Sequence, residues 1–399
     1  MVEPKLRFSE FKNSWNNYKI EDMFDRVGIP VDLDDTQTYR EIGIRSHGKG
    51  IFHKEETTAT EIGNKRVFWV EPDCFVVNIV FAWERAVAKT TEKENGMIAS
   101  HRFPMYKPKK NIVDLDYITE YFITKRGQNV LILASPGGAG RNKTLGQKEF
   151  AKSVVKLPSL PEQQKIAEFL STIDTVIEKQ KETVSAWEER KKGVMQKLFS
   201  QEVRFKADDG SDFPDTELVS IGEHITFSGG SQPDKKYFIY EEREGYIRLV
   251  QTQDYRTDKY KTYIPIEKAR KTCTETDVMI GRYGPPVFQI KRGIAGAYNV
   301  ALIKATEKDS SILDKEFMFY LLNRNDLFLA LDAVSRRSAG QAGVDMELLK
   351  SFKFYLPSIP EQQKIADCLS SLDEVIEKQK ATLAAWEELK KGLLQQMFV

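Results

Sequence analysis

Leu157-Pro158-Ser159-Leu160-Pro161-Glu162-Gln163-Gln164-Lys165-Ile166-Ala167 returns 199 residues later as Leu356-Pro357-Ser358-Ile359-Pro360-Glu361-Gln362-Gln363-Lys364-Ile365-Ala366. The match runs on without a gap to Phe199 and Phe398, and 29 of its 43 positions are identical. Such self-similarity at a fixed spacing organises a chain before any local feature does. Each copy reads as a helix. Pro161 suits the first turn and Glu162 its positive end. Apolar residues follow at a 4,3 spacing: Ile166, Leu170, Ile173, Ile177, Val184, Trp187, Val194 and Leu198. The second copy repeats the seam with Ile365, Leu369, Leu372, Ile376, Leu383, Trp386, Leu393 and Met397. Polar Gln180 and Lys191, matched by Gln379 and Lys390, fall on the same stripe and could set register. About 38 residues make a rod of roughly 57 Å. A single narrow apolar stripe needs a partner. The expected one is the other copy, with Ile173, Ile177, Val184, Trp187, Leu372, Ile376, Leu383 and Trp386 in the seam. The alternative is that each helix lies on its own globular domain.

A fainter repeat precedes each variable stretch. Leu6-Arg7-Phe8 leads to Trp15, Ile20, Met23 and Phe24, and Val203-Arg204-Phe205 leads to Phe213-Pro214, Ile221 and Ile225. Residues 25–150 and 226–349 share little obvious sequence. The order is therefore lead, divergent region, near-identical helix, twice over. This gives domains at 1–156 and 203–355 and long helices at 157–202 and 356–399.

The divergent regions read as mixed α/β (α+β). Strand-like runs include residues 66–70, 74–82 and 129–133 in the first, and 246–251, 278–280 and 298–303 in the second. Residues 317–323 and 326–334 look helical, and Gly- and Pro-containing turns separate the pieces. Strict strand–helix alternation is absent, which argues against a doubly wound parallel sheet.

Across 399 residues the 60 Lys+Arg nearly balance the 59 Asp+Glu. This excludes a uniformly basic coat and an acidic disordered chain. Residues 25–150 and 226–349 each hold 19 cationic and 17 acidic side chains, whereas residues 200–225 hold 2 and 7. The slight positive excess on the variable regions implies weak phosphate attraction by the chain alone. Three distant cysteines argue against a disulfide framework or a Cys-based zinc site. The polar opening residues carry no apolar signal core, and no apolar stretch is long enough to span a membrane. A cytoplasmic protein is expected.

Two divergent domains, each followed by a long helix opening Leu-Pro-x-Leu/Ile-Pro-Glu-Gln at Leu157–Gln163 and Leu356–Gln362, resemble the specificity subunit of Type I restriction-modification systems. A Gly-containing loop before each helix, Gly137 to Leu145 and Gly340 to Leu348, adds to the likeness. The resemblance spans essentially the whole chain. It implies two target recognition domains in pseudo-twofold tandem, joined by two antiparallel coiled-coil helices that act as a spacer. Each domain would read one half of a bipartite site in double-stranded DNA. Two methyltransferase subunits would dock on the frame and methylate adenine, and up to two restriction subunits can join. S-adenosylmethionine, ATP and Mg²⁺ would serve those partners. The chain itself would bind no cofactor, metal or membrane and carry no catalysis.

Loops that mix glycine with cationic and amide side chains suit close approach to phosphate and bidentate reading of base edges. In the first region they hold Arg45, Ser46, His47 and Lys49, then Gly138, Gly140, Arg141, Asn142 and Lys143. In the second they hold Gln251, Gln253, Arg256, Arg282 and Tyr283, then Arg336, Arg337, Ser338 and Gln341. The two glycine loops just before the helices recur at equivalent places and lead the set.

Enzymatic signals fall short. Gly137–Thr144 imitates a phosphate-binding loop but has Asn142 where its second glycine belongs. Gly284-Pro285-Pro286-Val287 lacks the amide or acid and the aromatic of an adenine methyltransferase motif. His47, His53, His101 and His224 show no metal-ligand spacing. The competing functional class is a coiled-coil scaffold or adaptor with two ligand-binding domains and no sequence-specific DNA role. Sequence-specific DNA retention in the presence of partners separates the two.

Overall fold

A computed structural model describes residues 4–137, 143–284, 286–335 and 343–398. The chain divides into two compact units, Met1–Lys181 with Ala381–Val399, and Glu182–Lys380. The long helices, Leu160–Phe199 and Ile359–Met397, each contribute a part to both units.

The units repeat one plan. In the first, Asn16–Lys19 pairs antiparallel with Val154–Leu157, the strand that feeds the first long helix. A four-stranded sheet follows in the order Phe24–Val27, Met105–Pro108, Phe75–Val77, Val87–Lys89. A five-stranded sheet has the order Ile29–Pro30, Val67–Trp69, Ile98–Ser100, Thr38–Ile44, Ile51–Thr58. In the second unit, Glu217–Ser220 pairs with Lys353–Leu356. Its four-stranded sheet runs Ile225–Gly229, Leu302–Glu307, Val278–Gly281, Gln289–Lys291. A further sheet runs Tyr263–Pro265, Tyr246–Val250, Gly296–Tyr298, Thr272–Cys273. Each unit contains one parallel pairing, Thr38–Ile44 with Ile98–Ser100 and Tyr246–Val250 with Gly296–Tyr298. The topology thus recurs where the sequence has diverged.

One strand expectation is corrected. Residues 129–133 lie in the helix Lys125–Leu133, whose N-cap Thr124 accepts from the Gly127 N–H. Leu131 is fully buried while Leu133 is 82% exposed. That split belongs to a helix with one face on the core, and the equivalent Asn325–Ser335 behaves alike, burying Leu327 and Leu331. The apolar run hid the period because Val130, Ile132 and Leu133 do not all pack inward. Two other runs break into shorter pieces. After Phe75–Val77 the chain turns into the 3₁₀ turn Ala82–Glu84, and 298–303 is split by a turn at Asn299.

The repeated Pro-Glu-Gln fastens each helix to its head. Glu162 is 1% exposed and accepts two bonds from Arg7, Nε at 2.7 Å and Nη2 at 2.9 Å. Glu361, equally buried, accepts the same fork from Arg204 at 3.0 and 2.7 Å. Each arginine also donates to a carbonyl of its own lead, Asn13 or Pro214. A planar guanidinium matches a carboxylate bidentately, which lysine does not. The neighbouring Gln163 is fully buried and completely engaged. Its amide donates to the Ile112 and Pro158 carbonyls and its oxygen accepts from the Asp114 N–H, all at 3.0 Å. Gln362 repeats this on Ile312, Pro357 and Asp314. Asp114 and Asp314 in turn cap the helices Leu115–Ile123 and Lys315–Leu322.

The helices run antiparallel within each unit. In the first, Met397 and Phe398 pack with Ile166 and Leu170, and Lys390 reaches Asp174 at 2.8 Å. In the second, Met195, Leu198 and Phe199 pack with Ile365 and Leu369, and Lys191 reaches Asp373 at 2.6 Å. The seam lysines therefore sit in equivalent ion pairs. Their surroundings differ: the Tyr320 hydroxyl donates to Asp373, whereas the equivalent position near Asp174 is Glu120, which shares Lys390. Burial and then Asp174 push the Glu120 carboxyl up, and Lys390 opposes them. Among the other seam residues, Ile173, Ile177, Val184 and Ile376 are buried, and Trp187, Leu372, Leu383 and Trp386 half-buried.

The Arg7–Glu162 anchor and a separate ion-paired carboxylate, Asp277, each have a measurable effect on stability. Removing the Arg7 guanidinium leaves a buried unpaired carboxylate, so Arg7→Ala should destabilise the protein by about 3 kcal/mol. Arg7→Ala combined with Glu162→Gln should recover part of the loss in denaturant unfolding. The second effect concerns Asp277. Burial pushes its carboxyl up, but the Thr274 N–H, Lys315 at 2.9 Å and Lys304 at 3.4 Å outweigh this and hold it at about 2. A depressed folded-state value contributes stability above the unfolded value of about 4. That stability is lost as pH falls from about 4 to about 2. Asp277→Asn should lower the melting temperature at neutral pH and flatten its decline across that acid window.

Candidate nucleic-acid interface

The loop Arg45–Gly50 closes the hairpin of Thr38–Ile44 and Ile51–Thr58. Its inner side is tied down: the Ser46 hydroxyl donates to the Glu84 carboxylate at 2.9 Å, and the His47 N–H to the Glu84 carbonyl at 2.7 Å. Gly48 has φ +67°, and an added Cβ would meet Ile123 at 2.7 Å, so only glycine passes there without strain. Arg45, His47 and Lys49 remain exposed, with the Arg45 guanidinium 4.7 Å above the Phe52 ring. The loop is a fixed platform carrying cationic side chains outward.

Of the first glycine loop, Gly138, Gly140, Arg141 and Asn142 lie outside the described residues, and Lys143 is half-buried at its end. Arg336, Arg337, Ser338 and Gln341 of the second loop also lie outside the described residues. The flanks of both loops are held alike. The Leu145 N–H donates to the Ile79 carbonyl, and the Val344 N–H to the Arg282 carbonyl. In each unit this seats the loop's end beside the turn that follows a central strand, Phe75–Val77 or Val278–Gly281.

Arg282 and Tyr283 occupy that turn in the second unit. The guanidinium lies 5.2 Å over the Tyr283 ring, and Tyr283 bridges Gly343. The structure therefore brings these two residues to the end of the second glycine loop. Gln251 is already engaged, its amide donating to the Thr262 hydroxyl at 3.1 Å, and the next residue, Thr252, lies close to Gly281 beside the Arg282 turn. Gln253 and Arg256 follow it and are exposed. Among the described residues of the second unit, the Gln251–Arg256 turn and the Arg282–Tyr283 turn are thus neighbours.

Other chemistry is not assembled. Among the described residues no group of three or more His, Cys, Asp or Glu could hold a metal ion. Cys74, Cys273 and Cys368 are free, and burial pushes the first two thiols up to about 11, away from nucleophilic reactivity. No described helix is long and apolar enough to cross a membrane.

Sequence reading passed over two things. Arg7 and Arg204 stood in the faint lead repeat, but nothing in one dimension linked them to Glu162 and Glu361, 155 and 157 residues away. The second is the stretch 237–263, which holds six of the chain's 15 tyrosines among frequent lysines and arginines. That density was the available signal.

Comparison with known proteins places this architecture. The family model described as Type I restriction modification DNA specificity domain matches residues 52–185 and 215–385, more than half of the chain. A protein of Methanocaldococcus jannaschii described as the putative type I restriction enzyme MjaX specificity subunit is 23% identical, over 98% of this chain and 94% of its own length. The type I restriction enzyme MjaVIII specificity subunit of the same organism is 24% identical, over 84% of this chain and 80% of its own. The crystal structure of a Type-I restriction-modification system S subunit from M. genitalium shares the fold, with a TM-score of 0.58 at 14% identity, covering 100% of this chain and 99% of that one. With two copies of one anchored unit and two matched family segments, this chain belongs to the family of Type I restriction-modification specificity subunits.

Proposed function

We propose that this chain reads a bipartite sequence in double-stranded DNA for a methyltransferase complex in the cytoplasm. Each unit's sheets and turns form one reading head, and the two long helices set the distance between half-sites. Two methyltransferase subunits dock on the frame, and restriction subunits can join them. S-adenosylmethionine, ATP and Mg²⁺ belong to those partners, and this chain contributes no catalysis. One observation carries the reading: a single anchored frame, repeated down to its Arg–Glu forks, holds two sheet regions whose sequences have diverged. Keeping the frame and changing the surface is what a two-headed reader of unlike half-sites requires. Near-neutral charge fits a reader that depends on partners for tight phosphate binding.

Co-expression with its methyltransferase subunit should give a stable complex that methylates adenine at a split, asymmetric site, read out by methylation-sensitive sequencing. Methylation without sequence preference, or none, would favour the adaptor reading. Exchanging residues 25–150 for the same region of another specificity subunit should alter one half-site and leave the other and the spacer unchanged. A simultaneous change in both half-sites would contradict two independent heads.

A further inference from the structure

The second unit carries a solvent-facing aromatic and cationic sheet surface. Strands Tyr246–Val250 and Tyr263–Pro265 pair with Tyr246 opposite Pro265 and Arg248 opposite Tyr263. The two-residue alternation puts those four on one face. Ile247 and Ile264, also paired, face the other way and pack in a small core with Leu249 and Phe238. Ile239 bridges Tyr263, so its segment lies along the edge of this surface, directly after the 3₁₀ turn Lys235–Tyr237. Tyr246 and Tyr263 thus share one face of a ribbon whose adjoining turn carries Tyr237.

Cations rest on its rings. Lys236 and Lys268 each lie 5.1 Å from the Tyr237 centroid, Arg243 5.6 Å from Tyr246, and Lys259 5.3 Å from the adjacent, 57% exposed Tyr260. Among the described residues Arg243, Lys259 and Lys268 have no carboxylate partner, and all three are exposed. Residues 235–271 contain 10 of the 19 Lys and Arg of region 226–349, against six Asp and Glu. Two of those acids are spent locally: Asp254 is buried beside Arg248, and Asp258 pairs with Arg248 and Lys261. A cation on a tyrosine face is held in place yet keeps its N–H donors, since the ring takes none of them in a hydrogen bond.

We infer that this ribbon contacts the DNA backbone flanking the half-site read by the second unit. Arg243, Lys259 and Lys268 bind phosphates, and the tyrosine rings hold those cations in position. The proposal rests on the reading of the chain as a DNA specificity subunit. Charge complementarity selects the occupant: cations outnumber acids 10 to six over residues 235–271, and although Glu241, Glu242, Glu244 and Glu267 flank Arg243 and Lys268 in sequence, Arg243, Lys259 and Lys268 are exposed and have no carboxylate partner among the described residues, which fits a polyanion. A phosphate contact positions the protein without reading bases. The surface should therefore govern affinity and salt dependence, not the sequence chosen.

The test uses the full chain in complex with its methyltransferase subunit. Binding to a duplex carrying the methylated site is measured by fluorescence anisotropy over a salt series. The variant combines Arg243→Ala, Lys259→Ala and Lys268→Ala. It should keep its melting temperature and methylate the same sequence. It should bind about tenfold or more weakly at moderate salt, with the slope of log affinity against log salt reduced by about 0.9 per lost phosphate contact. Tyr237→Leu, which keeps every charge, should give a smaller loss. Unchanged affinity and slope in the triple variant, beside a parent that binds specifically, would overturn the phosphate-contact proposal and leave the specificity reading intact. A changed methylation sequence would also overturn it, in favour of base reading by these residues. A parent complex without sequence-specific binding would remove the specificity reading and this proposal together.

Discussion

The buried glutamate of the repeated Pro-Glu-Gln carries each half of this protein. Glu162 and Glu361 are almost fully desolvated, and a carboxylate so placed requires a paired, hydrogen-bonded cation. Arg7 and Arg204 supply it with a two-pronged fork, which fixes the orientation as well as the charge. The adjoining glutamine then commits every available donor to the segment that enters the head's first helix. Three parts of the chain, the lead, the head and the long helix, meet at two consecutive residues. Few substitutions are compatible with that geometry.

The anchor explains how the heads could diverge. Because the lead, the strand that feeds each long helix and the helix start are locked together, the sheets beyond them need only keep their topology. Thr38–Ile44 and Tyr246–Val250 each take a parallel partner, yet one lies in a long hairpin and the other in a ribbon lined with tyrosine. The lead also joins each helix end in the same way. The Leu6 N–H donates to the Gln396 carbonyl and the Val203 N–H to the Lys197 carbonyl.

Surface chemistry is distributed unevenly over this repeated frame. Equal regional charge conceals it, since the second region gathers over half of its cations into 37 residues while the first spreads them. The platform at Arg45–Gly50 and the tyrosine ribbon solve the same problem differently. The first fixes a loop through backbone bonds to the Glu84 and Arg85 carbonyls, and the second parks cations on rings.

Repeat, long helices and family were legible in the sequence, because identity at a fixed offset and a heptad period are one-dimensional signals. The mixed character of the heads was legible too, though residues 129–133 were misread as a strand. A short apolar run has no distinct period until one knows that Leu131 faces the core and Leu133 the solvent. Arg7 was visible as half of a faint repeat, but its partner Glu162 became known only when folding closed 155 residues of chain between them. The same holds for the ribbon. Tyr237, Tyr246 and Tyr263 stand out in sequence only as part of a tyrosine-dense stretch. Tyr246 and Tyr263 share a face only because strand pairing sets Arg248 opposite Tyr263, and a bridge at Ile239 brings the turn that carries Tyr237 to the same edge. Local periodicity determined the helices by itself, whereas pairing between distant segments decided which charges are buried and which aromatics are shown, since burial depends on what the rest of the chain brings near.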